Sequence, residues 1–159
     1  GPVSEALGLD ESDIDDRFPI QDVSTGLPFM IAPLKTLDAV KRARVNKDRL
    51  FELIGEREAK AILIFCPQAY DRKNDINSRM SAVSYGIPED AATGSANGCL
   101  AGYLAKHRYF SSSQIDIRVE QGYEIKRPSL LYLKARDNGD SIDVSVGGKV
   151  VMVAKGELV

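Results

Sequence analysis

Apolar residues in this chain fall in short blocks, some alternating with polar residues and some recurring at helical spacing, and the punctuation between them predicts the elements. Between residues 23 and 34, two apolar pieces flank Thr25-Gly26-Leu27-Pro28, the pattern of a strand, a tight turn and a second strand. Leu37, Val40 and Ala43 then share a helical face behind Thr36, and Leu50, Phe51, Leu53 and Ile54 share another between Asn46 and Gly55. Thr36 and Asn46 each carry an oxygen able to accept from a first-turn N–H, so both are predicted N-caps. The run 61–66 is short, rich in β-branched residues and closed by Pro67, which predicts a buried strand with Cys66 in the core. Residues 75–83 read as a further strand. Four more are expected at 115–120, 129–136, 141–146 and 149–154, with Asn138-Gly139 and Gly147-Gly148 supplying hairpin turns.

The segment 88–110 is a turn entering a helix, and its composition sets it apart. Gly94, Ala96, Gly98, Ala101, Gly102 and Ala105 leave one end almost without side-chain bulk, although a helical glycine costs ~1 kcal/mol relative to alanine. Gly98 and Gly102 lie on one face, where another element is expected to pack at short range. Strands bracketing this small-residue helix predict an α+β fold in which a curled, mostly antiparallel sheet or barrel surrounds a central helix. No internal repeat or low-complexity linker divides the chain, so residues 1–159 are read as one domain.

Composition narrows the function classes. With 43% hydrophobic and 28% charged residues the chain sits near the globular average. Its apolar runs are far shorter than the ~20 residues that cross a bilayer, and no basic-then-apolar leader opens it, so no membrane partner and a cytoplasmic location are expected. Basic and acidic side chains, 21 against 23, leave a net charge of −2 and no field to gather nucleic acid. Cys66 and Cys99 are expected as reduced thiols, and a lone His107 with no Cys-x-x-Cys pair predicts no metal site. Asp10, Glu11, Asp13, Asp15 and Asp16 resemble a calcium loop in charge alone, lacking its central glycine and closing glutamate, so a solvated helix or turn is expected there. Gly1-Pro2 is assigned no structural role.

At the start of the small-residue helix, first-turn N–H groups lack intrahelical partners and the helix dipole adds partial positive charge. Thr93, Gly94, Ser95 and Ala96 therefore form a tip suited to an anion, above all a substrate carboxylate. Asp90, just ahead, is placed to exchange a proton with a carbon made acidic by polarisation of the bound substrate, and Ser95 to donate a hydrogen bond to the same guest. On these residues alone a plainer reading competes, in which Asp90 or Thr93 caps the helix and the glycines serve packing.

Glu89-Asp90-Ala91-Ala92-Thr93-Gly94-Ser95-Ala96 resembles the E-D-P-A-T-G-S-A signature of the PhzF-like family, with Ala91 where that family usually has proline. Further segments fall in the family's order: Ser24-Thr25-Gly26-Leu27-Pro28-Phe29, Arg79, Gly86-Ile87, Gln121-Gly122, Arg127-Pro128-Ser129, Gly147-Gly148 and Gly156-Glu157-Leu158. The resemblance spans nearly the whole chain but only the second half of a typical member, which has two diaminopimelate epimerase-like domains with the active site between them. It implies that fold, and a cofactor-independent isomerase moving protons on a small carboxylate. It further implies Asp90 and Ser95 as catalytic residues, Thr93, Gly94, Ser95 and Ala96 as substrate-binding residues, and neither metal nor organic cofactor. The partner it implies is a missing N-terminal half that supplies a glutamate acid/base and a cleft-lining histidine. A cleft wall left bare by that half predicts a homo-oligomer. The rival function is a non-catalytic carboxylate-binding or protein-interaction domain.

Other conspicuous side chains fit structural roles. Cys99 lies among small packing residues and reads as a buried, inert thiol. His107 suits the carbonyl-rich end of the helix, Tyr103 the core or its rim, and Lys126-Arg127 an exposed turn before Pro128.

Overall fold

Two sets of apolar side chains, one on each face of a single sheet, decide the architecture. The computed structural model describes residues 1–158. In chain order its elements are α1 (Pro2–Leu7), β1 (Gln21–Ser24), β2 (Pro28–Pro33), α2 (Leu37–Arg42), α3 (Lys47–Ile54), β3 (Ile62–Cys66), β4 (Ile76–Ala82), β5 (Ile87–Asp90), α4 (Gly94–Lys106), β6 (Gln114–Gln121), β7 (Ser129–Asp137) and β8 (Ile142–Gly148), with 3-10 turns at Glu11–Asp13 and Val83–Tyr85. The strands form one sheet in the order β1-β2-β3-β4-β6-β7-β8, with β5 also on β4. Among these pairings β2–β3 and β4–β6 are parallel and the other five antiparallel, as the sequence predicts in the main.

One face curls around α4, whose Leu100, Tyr103 and Leu104 are buried against Phe29, Leu63, Phe65, Ile117 and Leu133. The other face is covered by α1, α2 and α3, where Leu7, Val40, Leu50 and Ile54 pack on Ile62 and Ile64. Each such side chain, fully buried, is worth roughly 1.5–3 kcal/mol of transfer free energy. β3 is buried on both faces, which explains its uninterrupted apolar run. The predicted caps form: Thr36 Oγ1 accepts from Ala39 N–H at 3.1 Å and Asn46 Oδ1 from Arg49 N–H at 3.2 Å.

One edge of β4 is divided between two strands. Ile76 to Ser78 pair with Val119 to Gln121 of β6, while Met80 and Ala82 pair with Asp90 and Ile87 of β5 across a register shift. β6 runs parallel to β4 and β5 antiparallel, so both strands end near Arg79, and Gln121 meets Asp90 there.

Several expectations are corrected. Residues 149–154 form no strand: β8 continues through Gly147 and Gly148, which pair with Tyr132 and Leu131, so no turn forms there. The following chain has no sheet partner among the described residues, and Val150 to Val153 are 82–93% exposed. Pro2, assigned no role, is the first residue of α1, where its missing N–H costs nothing, and α1 buries Val3, Ala6 and Leu7. The acidic run is not wholly solvated: Asp15 is buried and takes two 2.8 Å hydrogen bonds from Arg17, which hold its carboxyl below the usual range. The approach to Gly98 and Gly102 is less tight than expected. A methyl at Gly98 would lie 3.6 Å from Thr25 Oγ1 and 3.7 Å from Val146 Cγ2, and one at Gly102 would lie 3.8 Å from Val144 Cγ1, all ordinary contacts.

Candidate active site

The chain leaves β5 at Asp90, turns through Ala91 and Ala92, and enters α4 from Thr93. Thr93 occupies the N-cap position in an extended conformation, yet its hydroxyl caps nothing: it donates to Asp90 Oδ2 at 2.6 Å. Asp90 Oδ1 accepts from Ala91 N–H at 2.9 Å, a donor that proline in this place would lack. The first helical bond runs from Asn97 N–H to Thr93 O at 3.0 Å. No side chain among the described residues caps the amides of Gly94, Ser95 and Ala96, so the positive end of a 13-residue helix stays open. The plainer capping reading therefore does not describe how Asp90 and Thr93 are used.

What fixes the turn comes from β6. Gln121, fully buried, donates from Nε2 to Asp90 O and Thr93 Oγ1, both at 3.0 Å. Its Oε1 accepts from Thr93 N–H at 3.2 Å and from Asn97 Nδ2 at 2.8 Å. Next to it Gly122, at φ +82°, lets the turn sit directly on the strand end: a Cβ there would fall 2.4 Å from Arg127 O and 2.8 Å from Ala91 O. Only glycine meets both demands. Ahead of the turn, Glu89 forms a two-pronged pair with Arg79, at 2.9 Å from Nε and 2.7 Å from Nη2. Arg79 Nη1 also donates to Val40 O and Ala43 O, tying the signature to the end of α2. Reading the sequence for chemistry missed Gln121 and Gly122 as parts of the site, and their pairing in the resembling segments was the available signal.

A cleft of about 500 Å³ opens beside the helix tip, with Ala92, Gly94, Ser129, Leu131, Val146 and Lys149 in its wall. Gly94 brings backbone to it and Lys149 a positive charge. Asp90 is half-buried and Ser95 exposed, and neither is among the cleft-lining residues. The structure thus places Asp90, Thr93, Gly94, Ser95 and Ala96 on one short segment, with the carboxylate beside the open helix start and the cleft on the Gly94 side.

The structural readings of the remaining residues hold, except at His107. Cys99 is buried, and burial pushes its thiol up, with Leu27 O and Thr25 Oγ1 at 3.7 and 3.9 Å. Tyr103 is a core residue whose hydroxyl donates to Pro19 O at 2.8 Å. His107 takes the C-cap position of α4 through its backbone, its N–H on Tyr103 O. Its ring, however, hydrogen-bonds Gln21 Oε1 at 2.7 Å, and burial, with the Lys106 charge, holds its pKa below the usual range, so the expected positive cap is not what it supplies. Lys126 and Arg127 are exposed in the turn after Gly122. Among the described residues no helix is long and apolar enough to cross a membrane.

A curled sheet around a helix with an open, glycine-bearing start defines the class: a diaminopimelate epimerase-like α+β fold. Residues 3–156 match the PhzC-PhzF model, described as phenazine biosynthesis-like protein, and the chain belongs to that family. It is 32% identical, over 97% of its length, to an uncharacterised isomerase of Clostridium acetobutylicum, covering 52% of that protein. To a trans-2,3-dihydro-3-hydroxyanthranilate isomerase of Pseudomonas chlororaphis it is 45% identical over 98% of its length, covering 51% of that protein. A crystal structure of a Bacillus anthracis phenazine biosynthesis protein of the PhzF family superposes with TM-score 0.82 at 27% identity, over 92% of this chain and 50% of the other. The chain spans about half the length of the relatives it matches.

Proposed function

We propose that this chain is the C-terminal half of a cytoplasmic, cofactor-independent isomerase and forms one wall of an active site completed by an N-terminal half. The observation that carries this reading is the open start of α4 with Asp90 fixed beside it by Thr93. A substrate carboxylate is held by the N–H groups of Gly94, Ser95 and Ala96 and by the Ser95 hydroxyl, which withdraws electron density from the neighbouring carbon. Asp90 exchanges one proton with the substrate, and an acid/base group on the partner half exchanges the other, so that the substrate is isomerised with no net gain or loss of protons. Closure of the partner half excludes water from the transfer. The isomerase names of the relatives support the reaction class, and the hydroxyanthranilate derivative named for the Pseudomonas chlororaphis relative is a small carboxylate of the required kind. Coverage of about half of each relative supports the need for a partner.

The test is to combine the chain with the N-terminal half of a relative and assay trans-2,3-dihydro-3-hydroxyanthranilate. Turnover is expected, with Asp90→Asn lowering it at least ~100-fold and Ser95→Ala about 10-fold. Turnover unaffected by either substitution sinks the assignment. A second reading, a carboxylate-binding domain without catalysis, draws on the fact that both Asp90 oxygens already accept a hydrogen bond. Carboxylate binding at the α4 start without turnover by the combined protein selects it. The isolated chain is also expected to self-associate through the surface that the partner half covers, and a well-behaved monomer in sedimentation would contradict this.

A further inference from the structure

We propose that Gln121 is a positioning residue for Asp90: its side-chain amide, oriented by backbone groups, aims the Thr93 hydroxyl proton at the Asp90 carboxylate. The sense of each bond follows from groups that can act in one way only. Thr93 N–H can only donate, so the Gln121 atom 3.2 Å from it is Oε1. Asp90 C=O can only accept, so the atom 3.0 Å from it is Nε2. Nε2 then donates its second proton to Thr93 Oγ1, at 3.0 Å. With that donor on one side of the oxygen, the single Thr93 proton is left for Asp90 Oδ2, at 2.6 Å. Asn97 enforces the same polarity. Its Nδ2 reaches Thr93 O at 2.9 Å and so donates to Gln121 Oε1 as well, at 2.8 Å.

The fold holds this relay in register, because the ends of β5 and β6 share one edge of β4, with Asp90 opposite Met80 and Gln121 opposite Ser78. Gln121 is fully buried, so turning its amide over would set like against like at three partners, Thr93 N–H, Asn97 Nδ2 and Asp90 O, and would turn the Thr93 hydroxyl proton away from Asp90. Asp90 is thereby pinned at both oxygens, by Thr93 and by Ala91, and meets a substrate in one orientation. The relay is a property of the chain itself; its effect on turnover rests on the isomerase reading above.

Gln121→Glu tests it, because the variant keeps Oε1 but replaces the Nε2 donor with an oxygen. When ionised that oxygen draws the Thr93 proton away from Asp90, and when protonated it donates to Thr93 again. By NMR on this chain, the Thr93 Cβ and Asp90 Cγ signals of Gln121→Glu are expected to differ from wild type at about pH 8 and to converge on it as the pH is lowered. In Gln121→Leu the difference is expected to persist at every pH. No difference at about pH 8, or one that fails to close on acidification, overturns the proposal. If the Gln121 variants do not fold, Thr93→Val decides, since an Asp90 signal unmoved by loss of the hydroxyl refutes the relay by itself. In the combined two-half protein, Gln121→Glu is expected to lower kcat about 10-fold or more at about pH 8 with KM within about 2-fold, recovering relative to wild type on acidification. A raised KM with unchanged kcat overturns the positioning role. Absence of turnover in the combined wild-type protein counts against the isomerase reading, and the NMR result then still decides the relay.

Discussion

At the starts of α2 and α3, Thr36 and Asn46 accept from the amides of Ala39 and Arg49, whereas at the start of α4 the corresponding Thr93 turns its hydroxyl back to Asp90. The same kind of residue stands at the same helical position and does the opposite. In α2 and α3 the cap satisfies an orphan donor locally, worth ~1 kcal/mol, and in α2 Gln68 Oε1 accepts from a second one, Leu37 N–H, at 2.7 Å. In α4 the turn is instead held from a distance by Gln121 and Gly122 at the end of β6, and the first-turn amides are left without a side-chain cap. The difference separates helices whose starts are closed by side-chain caps from one whose start is left open.

Breaking the remote support is expected to have the largest effect. Gly122→Ala forces a side chain into a left-handed backbone and against two carbonyl oxygens, so a loss of at least ~2 kcal/mol is expected. It would be read as a lower urea midpoint at unchanged m-value. A loss under ~1 kcal/mol would show that the turn does not rest tightly on β6. The local caps come next. Asn46→Ala and Thr36→Ala are each expected to lower stability by ~1 kcal/mol. Thr93→Val, which removes no cap, is expected to cost only about half as much in the same titration, since Gln121 Nε2 keeps Asp90 O as a partner. Equal costs for all three would mean that Thr93 caps α4 after all.

How much of this was legible in the sequence depends on how far each partner lies along the chain. Thr36 and Asn46 were readable because the amide each one caps is three residues away. The β3 run and the small-residue α4 were readable because burial leaves its mark in composition. The signature pointed to Asp90 and Thr93, but not to their hydrogen bond, because local pattern makes either residue an equally good cap. Gln121 is separated from Thr93 by 28 positions and meets it only because β5 and β6 share an edge of β4, which is a fact of topology. The expected strand at 149–154 fails for the same reason. Its Val150-Val151-Met152-Val153 run has strand propensity, but a strand also needs an edge to pair with, and β8 is already extended through Gly148. β5 was hidden in the opposite way, since Ile87 and Pro88 are exposed and carry no burial pattern.

The smallest expected effect concerns the body of α4 and separates its packing from the role proposed for its start. The glycines at 98 and 102 suggest a helix thinned so that another element can press on it, yet methyl groups built there would lie 3.6–3.8 Å from their neighbours. At that separation the contact is attractive, and alanine restores helix propensity of up to ~1 kcal/mol. A buried helix realises only part of this propensity gain, so Gly98→Ala is expected to raise stability by about 0.5 kcal/mol, and Gly102→Ala by a similar amount. Neither should alter the affinity of the α4 start for benzoate, followed through the amide signals of Gly94, Ser95 and Ala96, because both glycines lie outside the open first turn. A destabilised Gly98→Ala would instead show that Thr25 and Val146 cannot yield. The helix body and its open start would then be under a common constraint, with the close approach of β8 setting the shape of the cleft as well as the packing of the core.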